Sequence, residues 1–336
     1  MEHVAIDLGG QQSQICIRDD KGRIVAEGRV ATQALGSYLS KRPPSRVIVE
    51  TCAEGFAVAD AARACGHQAI VVPSLLVRSL GVGSRGVKTD RKDAQVLSEV
   101  STRIQLPSVH IPSQTARQRK SMCGMREALV GSRTQLVNTV RGWLRTQNRR
   151  LKSGAVESFV NRVQALTEQG LELPPYVQGV LRTIQQLNQQ LKEADKELEQ
   201  QAKADPVCRR LMSVPGVGPV TAMRFVATLD QVERFGEGAQ VASYLGVVPG
   251  ENSSSERRRI TGITKAGSRQ TRWVLVQAAW SFMRWAKDDD PVRMWAMQVM
   301  QRRGKNVAVV ALAHKLATIL YALWRDWSRY RSHPGG

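Results

Sequence analysis

Four short apolar runs within the first fifty residues set the strongest limit on the fold: HVAID, QICIRD, RIVAEGRV and SRVIVE. The first three are β-prone and separated by turn residues, Gly9-Gly10 and Asp20-Lys21-Gly22, a spacing that predicts an antiparallel meander. SRVIVE is an apolar run suited to a buried strand. The helix-like AVADAARACG and the strand HQAIVVP follow it. After GVGSRGVK, read as a loop, TDRKDAQVLSEV has helical composition. The first hundred residues therefore read as α/β.

The remainder reads as mainly α. Met122, Met125, Leu129, Leu136, Val140 and Trp143 form one apolar stripe over about 115–150. Residues 111–152 hold ten Lys or Arg against one acid, Glu127, so this helix can pack on one face and track a phosphate backbone with the other. Val180, Ile184, Leu187, Leu191, Ala194 and Leu198 form a short heptad seam. It is read first as a self-association surface and second as half of an intramolecular helical hairpin. LMSVPGVGPVTAMRFVATL has the helix-hairpin-helix pattern. In it, Gly216 and Gly218 permit close backbone approach, and the following helix N-terminus can bind a phosphate. Six of the seven Trp lie beyond residue 270 at helical spacings that predict core positions. The expected domains are 1–152, a coiled-coil segment 153–204, and 205–336.

Charge points to the partner. The chain carries 49 Lys and Arg against 29 Asp and Glu, a net of +20. Residues 1–110 hold 14 basic and 11 acidic side chains, whereas the other 226 hold 35 and 18. Such an excess favours a polyanion, because neutralised phosphates release their condensed counterions. The five cysteines show no CxxC and no paired His spacing, which argues against structural zinc and for reduced thiols. MEHVAIDLGG lacks the pattern of a secretory signal. VAVVALAHKLATILYALW contains His314 and Lys315 and reads as a buried helix in preference to a membrane span. A cytoplasmic protein with no membrane partner is expected.

Four carboxylates stand out against this basic background. Asp7 ends the first strand, Glu50 ends RVIVE, and Asp90 and Asp93 sit three apart at the start of a helix, on one face. Singly each has an ordinary role: Asp90 as a helix cap, Asp93 as a partner of Arg91 or Lys92. In a meander followed by a buried strand, strands one and four are neighbours, as in the ribonuclease H fold, so Asp7 and Glu50 come close. A later helix can bring Asp90 and Asp93 opposite them. Such a set of oxygen donors suits Mg²⁺, one ion or two about 4 Å apart, with Mn²⁺ as a substitute.

These residues resemble those of a known family, the DEDD-type transposases of bacterial insertion sequences (the IS-one-ten and IS-eleven-eleven group). AIDLGG, VIVET and KTDRKDA match its four acidic positions, and SVPGVGPVTA, ASYLGVVPGENSSSERRR and ITKAGSRQTR match its C-terminal half. The resemblance implies a RuvC-like N-terminal domain, a coiled coil and a C-terminal transposase domain. It further implies that Asp7, Glu50, Asp90 and Asp93 bind Mg²⁺ and that a serine forms a covalent 5′-phosphoserine with DNA. A non-coding bridge RNA would choose the donor and target DNA, within a homo-oligomer from dimer to tetramer. Aligned on PGEN and ITKAG, the nucleophile is Ser253, with Ser254 second because Ser255 stands where the family pattern has glycine. Arg257, Arg258, Arg259 and Lys265 are placed to hold phosphates.

Two other classes share parts of this pattern. AIDLGG also resembles the first phosphate loop of actin-like kinases, but the second phosphate loop and the adenosine motif of that class have no counterpart here. A junction-resolving, Mg²⁺-dependent nuclease, or a binding protein without chemistry, would not depend on the serine run.

Overall fold

The computed structural model describes residues 1–74, 89–251 and 260–332. The chain divides into two compact units, Met1–Pro112 and Ser113–Gly336. In the first unit the meander forms as its turn residues dictate. β1 (His3–Asp7) pairs antiparallel with β2 (Gln12–Arg18), and β2 with β3 (Ile24–Ala31). The Asp19 carboxylate accepts the backbone N–H groups of Lys21 and Arg23 and fixes the second turn. The apolar fourth strand, β4 (Arg46–Glu50), lies parallel to β1, with Ile6 opposite Val49. β5 (Gln68–Val72) pairs parallel with β4, giving the order β3-β2-β1-β4-β5.

Strand alternation sorts the side chains onto two faces. Val4, Ile6, Val47 and Val49 pack with Leu35, Leu39, Val58 and Ala62 from α1 (Leu35–Ser40) and α2 (Gly55–Ala64). Ala5, Ile48 and Val72 face the other way and pack with Leu97 of α3 (Asp90–Arg103). Burying Leu97 contributes about 2 kcal/mol and seats α3 on the sheet. The expected loop GVGSRGVK lies outside the described residues.

The second unit is helical apart from one ribbon. α4 (Gln114–Thr146), which the sequence reading assigns to the first domain, packs here on α6 (Pro175–Ala204) and α8 (Pro219–Leu229). Of the expected stripe, Val140 is buried and Met122, Leu136 and Trp143 are half-buried against the core, while Met125 falls off it. Ala116, Cys123, Val137 and Leu144 are buried, with half-buried Val130 between them, whereas Met125 is 71% exposed. This seven-residue repeat opens on Ala116 and Cys123, which a reading weighted to large side chains passes over. It meets the heptad seam of α6, where Ile184, Leu191 and Leu198 are buried. Arg119, Arg126 and Arg133, again seven apart, pair with Asp205, Asp195 and Glu157. The seam is thus used within the chain, as an intramolecular helical hairpin, and its buried residues are not a self-association surface.

Between these helices, α5 (Phe159–Gln164) and α7 (Pro206–Leu211) are single turns or little more. The rest of the unit wraps around α12 (Lys305–Arg325), which packs against α9 (Gly238–Tyr244), α10 (Arg269–Trp285) and α11 (Pro291–Arg303). By length and composition α12 could cross a membrane. Its Leu312, Leu316, Leu320 and Trp324 are instead buried in the core of this unit, as expected. The core assignment of the other tryptophans needs correcting. Trp273, Trp285 and Trp327 are half or more exposed, and Trp280 and Trp295 are half-buried beneath Lys305 and Lys315. On α10 the buried stripe runs through Thr271, Leu275, Ala278 and Phe282, so Trp273 and Trp285 fall off it.

Gly216 sits against the α10 backbone. It has φ +78°, and a Cβ there would stand 2.5 Å from the Phe282 nitrogen and 2.7 Å from the Ala278 oxygen. Its smallness lets the Pro-Gly-Val-Gly turn abut α10. Gly218, with nothing near its missing Cβ, is under no such limit. Gly216→Ala is therefore expected to cost at least about 1 kcal/mol in urea unfolding, and Gly218→Ala far less. Equal midpoints for the two variants would contradict this packing role.

Candidate active site

The acids are placed by the sheet and by α3. Asp7 and Glu50 are the last residues of parallel neighbours, one step beyond the Ile6–Val49 pair, so they share one end of the sheet. Alternation puts Asp7 on the face of Ala5 and Glu50 on the face of Ile48, which is the face α3 covers. The helix runs antiparallel to β1. Near its C-terminus the Ser101 hydroxyl meets His3 Nδ1 at 2.7 Å, and further back the Ser98 hydroxyl lies 3.2 Å from Cys16. His3 to Asp7 spans about 13 Å of strand, and Ser101 back to Asp93 about 12 Å of helix. Asp93 therefore lies level with Asp7 and Glu50. It is buried, one turn before Leu97 on the same helix face. Asp90 follows on the exposed first turn.

Local contacts fix that turn. The cap of α3 is Thr89, whose side chain accepts the Lys92 N–H, so Asp90 is not needed as a cap. Arg91 does not pair with Asp93. It donates through Nε to Glu27 of β3 at 3.0 Å, and Gln95 donates to the other oxygen of the same carboxylate. The Arg91 hydrogen bond holds the Glu27 carboxyl below its ordinary pKa. This clamp ties the first turn of α3 to the sheet, and the sequence reading missed it. Its only sequence trace is a charge pair 64 residues apart.

Among the described residues no three His, Cys, Asp or Glu side chains form a ready-made metal cage. The donor set still fits a hard divalent cation, because Mg²⁺ is commonly held by one or two carboxylates plus water and substrate phosphates. Oxygen-only donors also disfavour zinc. All five cysteines are free thiols.

Ser253, Ser254, Arg257, Arg258 and Arg259 lie outside the described residues. The residues flanking them are well placed. Glu251 of β6 (Pro249–Glu251) pairs with Ile260 of β7 (Ile260–Ile263) across an antiparallel ribbon. Lys265, exposed and at φ +57°, donates its N–H to the Gly246 carbonyl. A Cβ on Gly246 would meet Ala266 O at 2.2 Å, and one on Gly267 would meet Tyr244 O at 2.1 Å. Arg272 bonds the carbonyls of Leu245, Ala266 and Gly267. The base of the ribbon is thus locked by backbone contact and one guanidinium. Arg141 and Arg145 of α4, with Arg149 and Arg150 just beyond its end, cluster around a shared hollow.

Comparison with known proteins agrees along the chain. Residues 4–148 match a transposase family of the DEDD, IS110 type, and residues 208–292 match the family described as "Transposase IS116/IS110/IS902 family". The transposase for insertion sequence element IS1111A of Coxiella burnetii is 28% identical over 335 residues, covering 98% of this chain and 91% of the relative. A probable family 20 transposase of Pseudomonas aeruginosa is 28% identical, covering 100% and 99%. The transposase for insertion sequence element IS1328 of Yersinia enterocolitica is 27% identical, covering 95% and 96%. With its acids in sequence order at one sheet end and its helical C-terminal unit matched as well, the chain belongs to the DEDD, IS110-type family of insertion-sequence transposases, enzymes that act on DNA.

Proposed function

We propose that this transposase cuts and rejoins DNA through a covalent 5′-phosphoserine on Ser253, with Ser254 as the second candidate, and that Asp7, Glu50, Asp90 and Asp93 hold the divalent ion the family uses. The observation that carries this reading is the level placement of Asp7, Glu50 and Asp93 on one face at one sheet end. The strand order and the parallel β1–β4 pair support a RuvC-like, ribonuclease H-type topology for the first unit.

A bound Mg²⁺ would polarise the phosphoryl oxygens and stabilise charge on the entering and leaving oxygens. The chain's own groups do the rest. Ser253 Oγ attacks the phosphorus, an Oγ–P bond forms, the P–O3′ bond breaks, and the serine proton ends on the departing O3′. The ester keeps the energy of the broken linkage, so a 3′-hydroxyl can reverse the step without ATP. Arg257, Arg258, Arg259 and Lys265 would neutralise neighbouring phosphates, with the planar guanidinium fork fixing oxygen geometry. The paired Glu251 and Ile260 hold the ends of the serine segment together. Excess positive charge beyond residue 110 supports DNA as substrate and a bridge RNA as guide. The family resemblance supports a homo-oligomer acting in the cytoplasm on the nucleoid.

Two measurements test this. Incubated with Mg²⁺, bridge RNA and labelled donor and target DNA, the protein should retain label under denaturing conditions, and Ser253→Ala and Asp7→Ala should abolish the adduct. A free 5′-phosphate that persists in Ser253→Ala would instead identify a resolvase-like nuclease. Separately, Mg²⁺ at about ten times its Kd should raise the melting temperature by about 5 °C through binding linkage. Asp93→Asn should lose that rise, and an equal rise in wild type and variant would place the ion elsewhere.

A further inference from the structure

A cavity of about 370 Å³ opens in the C-terminal unit among α4, α8 and α10. That is at the small end of the roughly 300–1,000 Å³ of ligand sites, enough for one base and part of its backbone. Three kinds of contact line it. Trp273 of α10 presents an indole that is 51% exposed. Arg269 and Gln270 occupy the first turn of the same helix, where backbone N–H groups have no helical acceptor. From α8 comes Arg224, only 5% exposed, beside Glu127 of α4.

Arg224 is the group that the fold leaves unexplained. A guanidinium stays charged, and burying it is costly unless its N–H groups find acceptors. Nη2 donates to Glu127 Oε2 at 3.0 Å, but buried Nε has no acceptor among the described residues. Most of the α8 residues buried in the core are apolar, and Arg224 is the one charged residue among them. Arg224 thus brings to the wall a guanidinium with one donor lacking an acceptor among the described residues, next to a carboxylate that accepts.

That pairing selects the ligand. Glu127 would repel a bare phosphate seated against Arg224, whereas a nucleobase edge carries an acceptor for the guanidinium and an amino group for the carboxylate. An exposed indole beside it supplies the stacking surface that unpaired bases seek. Arg126, also in the wall, is already neutralised by Asp195, which leaves Arg269 at the rim for the backbone phosphate. We propose that this cavity holds one unpaired nucleobase of a nucleic-acid strand, stacked on Trp273, its polar edge read by Arg224 and Glu127 and its phosphate neutralised by Arg269. The proposal rests on nucleic acid being the substrate, and it is independent of the serine chemistry.

The test uses the full chain and fluorescence anisotropy with three labelled probes: a single-stranded DNA, the RNA of the same sequence, and the DNA as a duplex. Trp273→Ala should weaken binding of at least one single strand about tenfold, Trp273→Phe should restore most of it, and the duplex should change less than about twofold. The single strand that responds identifies the source of the base. Because Arg224 is buried, Arg224→Lys may be read only beside a matching melting curve, and the half-exposed Trp273 decides the matter without it. Unchanged affinity for both single strands, or an equal loss on single strand and duplex, would overturn the pocket. Neither result bears on the covalent adduct, and a missing adduct in wild type would leave the binding result standing.

Discussion

The parallel pairing of β1 with β4, with Leu97 of α3 seated across it, is the contact on which the placement of the acids depends. Parallel neighbours end at the same edge of a sheet, so two strands that each finish in an acid deliver both acids to one place. A helix running antiparallel across them returns its first turn to that edge. Carboxylates collected in this way repel one another. The apolar contact of Leu97 and the Arg91–Glu27–Gln95 clamp hold the helix in place against that repulsion. The proposed cation would relieve that repulsion, which would couple metal affinity to the fold through a single helix.

The C-terminal unit is built on another plan. Its long helices pair through heptads of small and branched residues, and their flanking arginines are matched with acids within the same unit. Other cations gather near the C-terminal end of α4, where Arg141, Arg145, Arg149 and Arg150 surround one hollow. At the base of the β6–β7 ribbon, Gly246 and Gly267 bring two backbone segments into contact, and Arg272 ties three carbonyls together. A rigid base is what a nucleophile needs if its approach to phosphorus is to be held to fractions of an ångström.

Much of the first unit was legible in the sequence because its signals are local. Turn residues bracketed each strand, SRVIVE read as buried, and the adjacency of strands one and four followed from the meander. Adjacency and strand direction together brought Asp7 and Glu50 into register. What escaped was set by long-range packing. Thr89, not Asp90, caps α3, and Arg91 prefers Glu27 to the nearby Asp93. The Ala116–Cys123–Val130–Val137–Leu144 repeat was passed over because it opens on Ala116 and Cys123, and the seam of α6 could not reveal whether its partner was another copy or α4. The tryptophans misled for a related reason. Bulk usually marks a core position, but the buried stripe of α10 runs through Thr271, Leu275, Ala278 and Phe282, and Trp273 and Trp285 lie off it.

The central claim is that one sheet end, one face and one helix turn make a single ion site. Anomalous diffraction from crystals of the full chain containing Mn²⁺ tests it most directly. The account predicts a manganese peak bracketed by the carboxylates of Asp7, Glu50 and Asp93, and its loss in Asp93→Asn. A strong manganese peak elsewhere in the chain, with those three carboxylates unliganded, would contradict it.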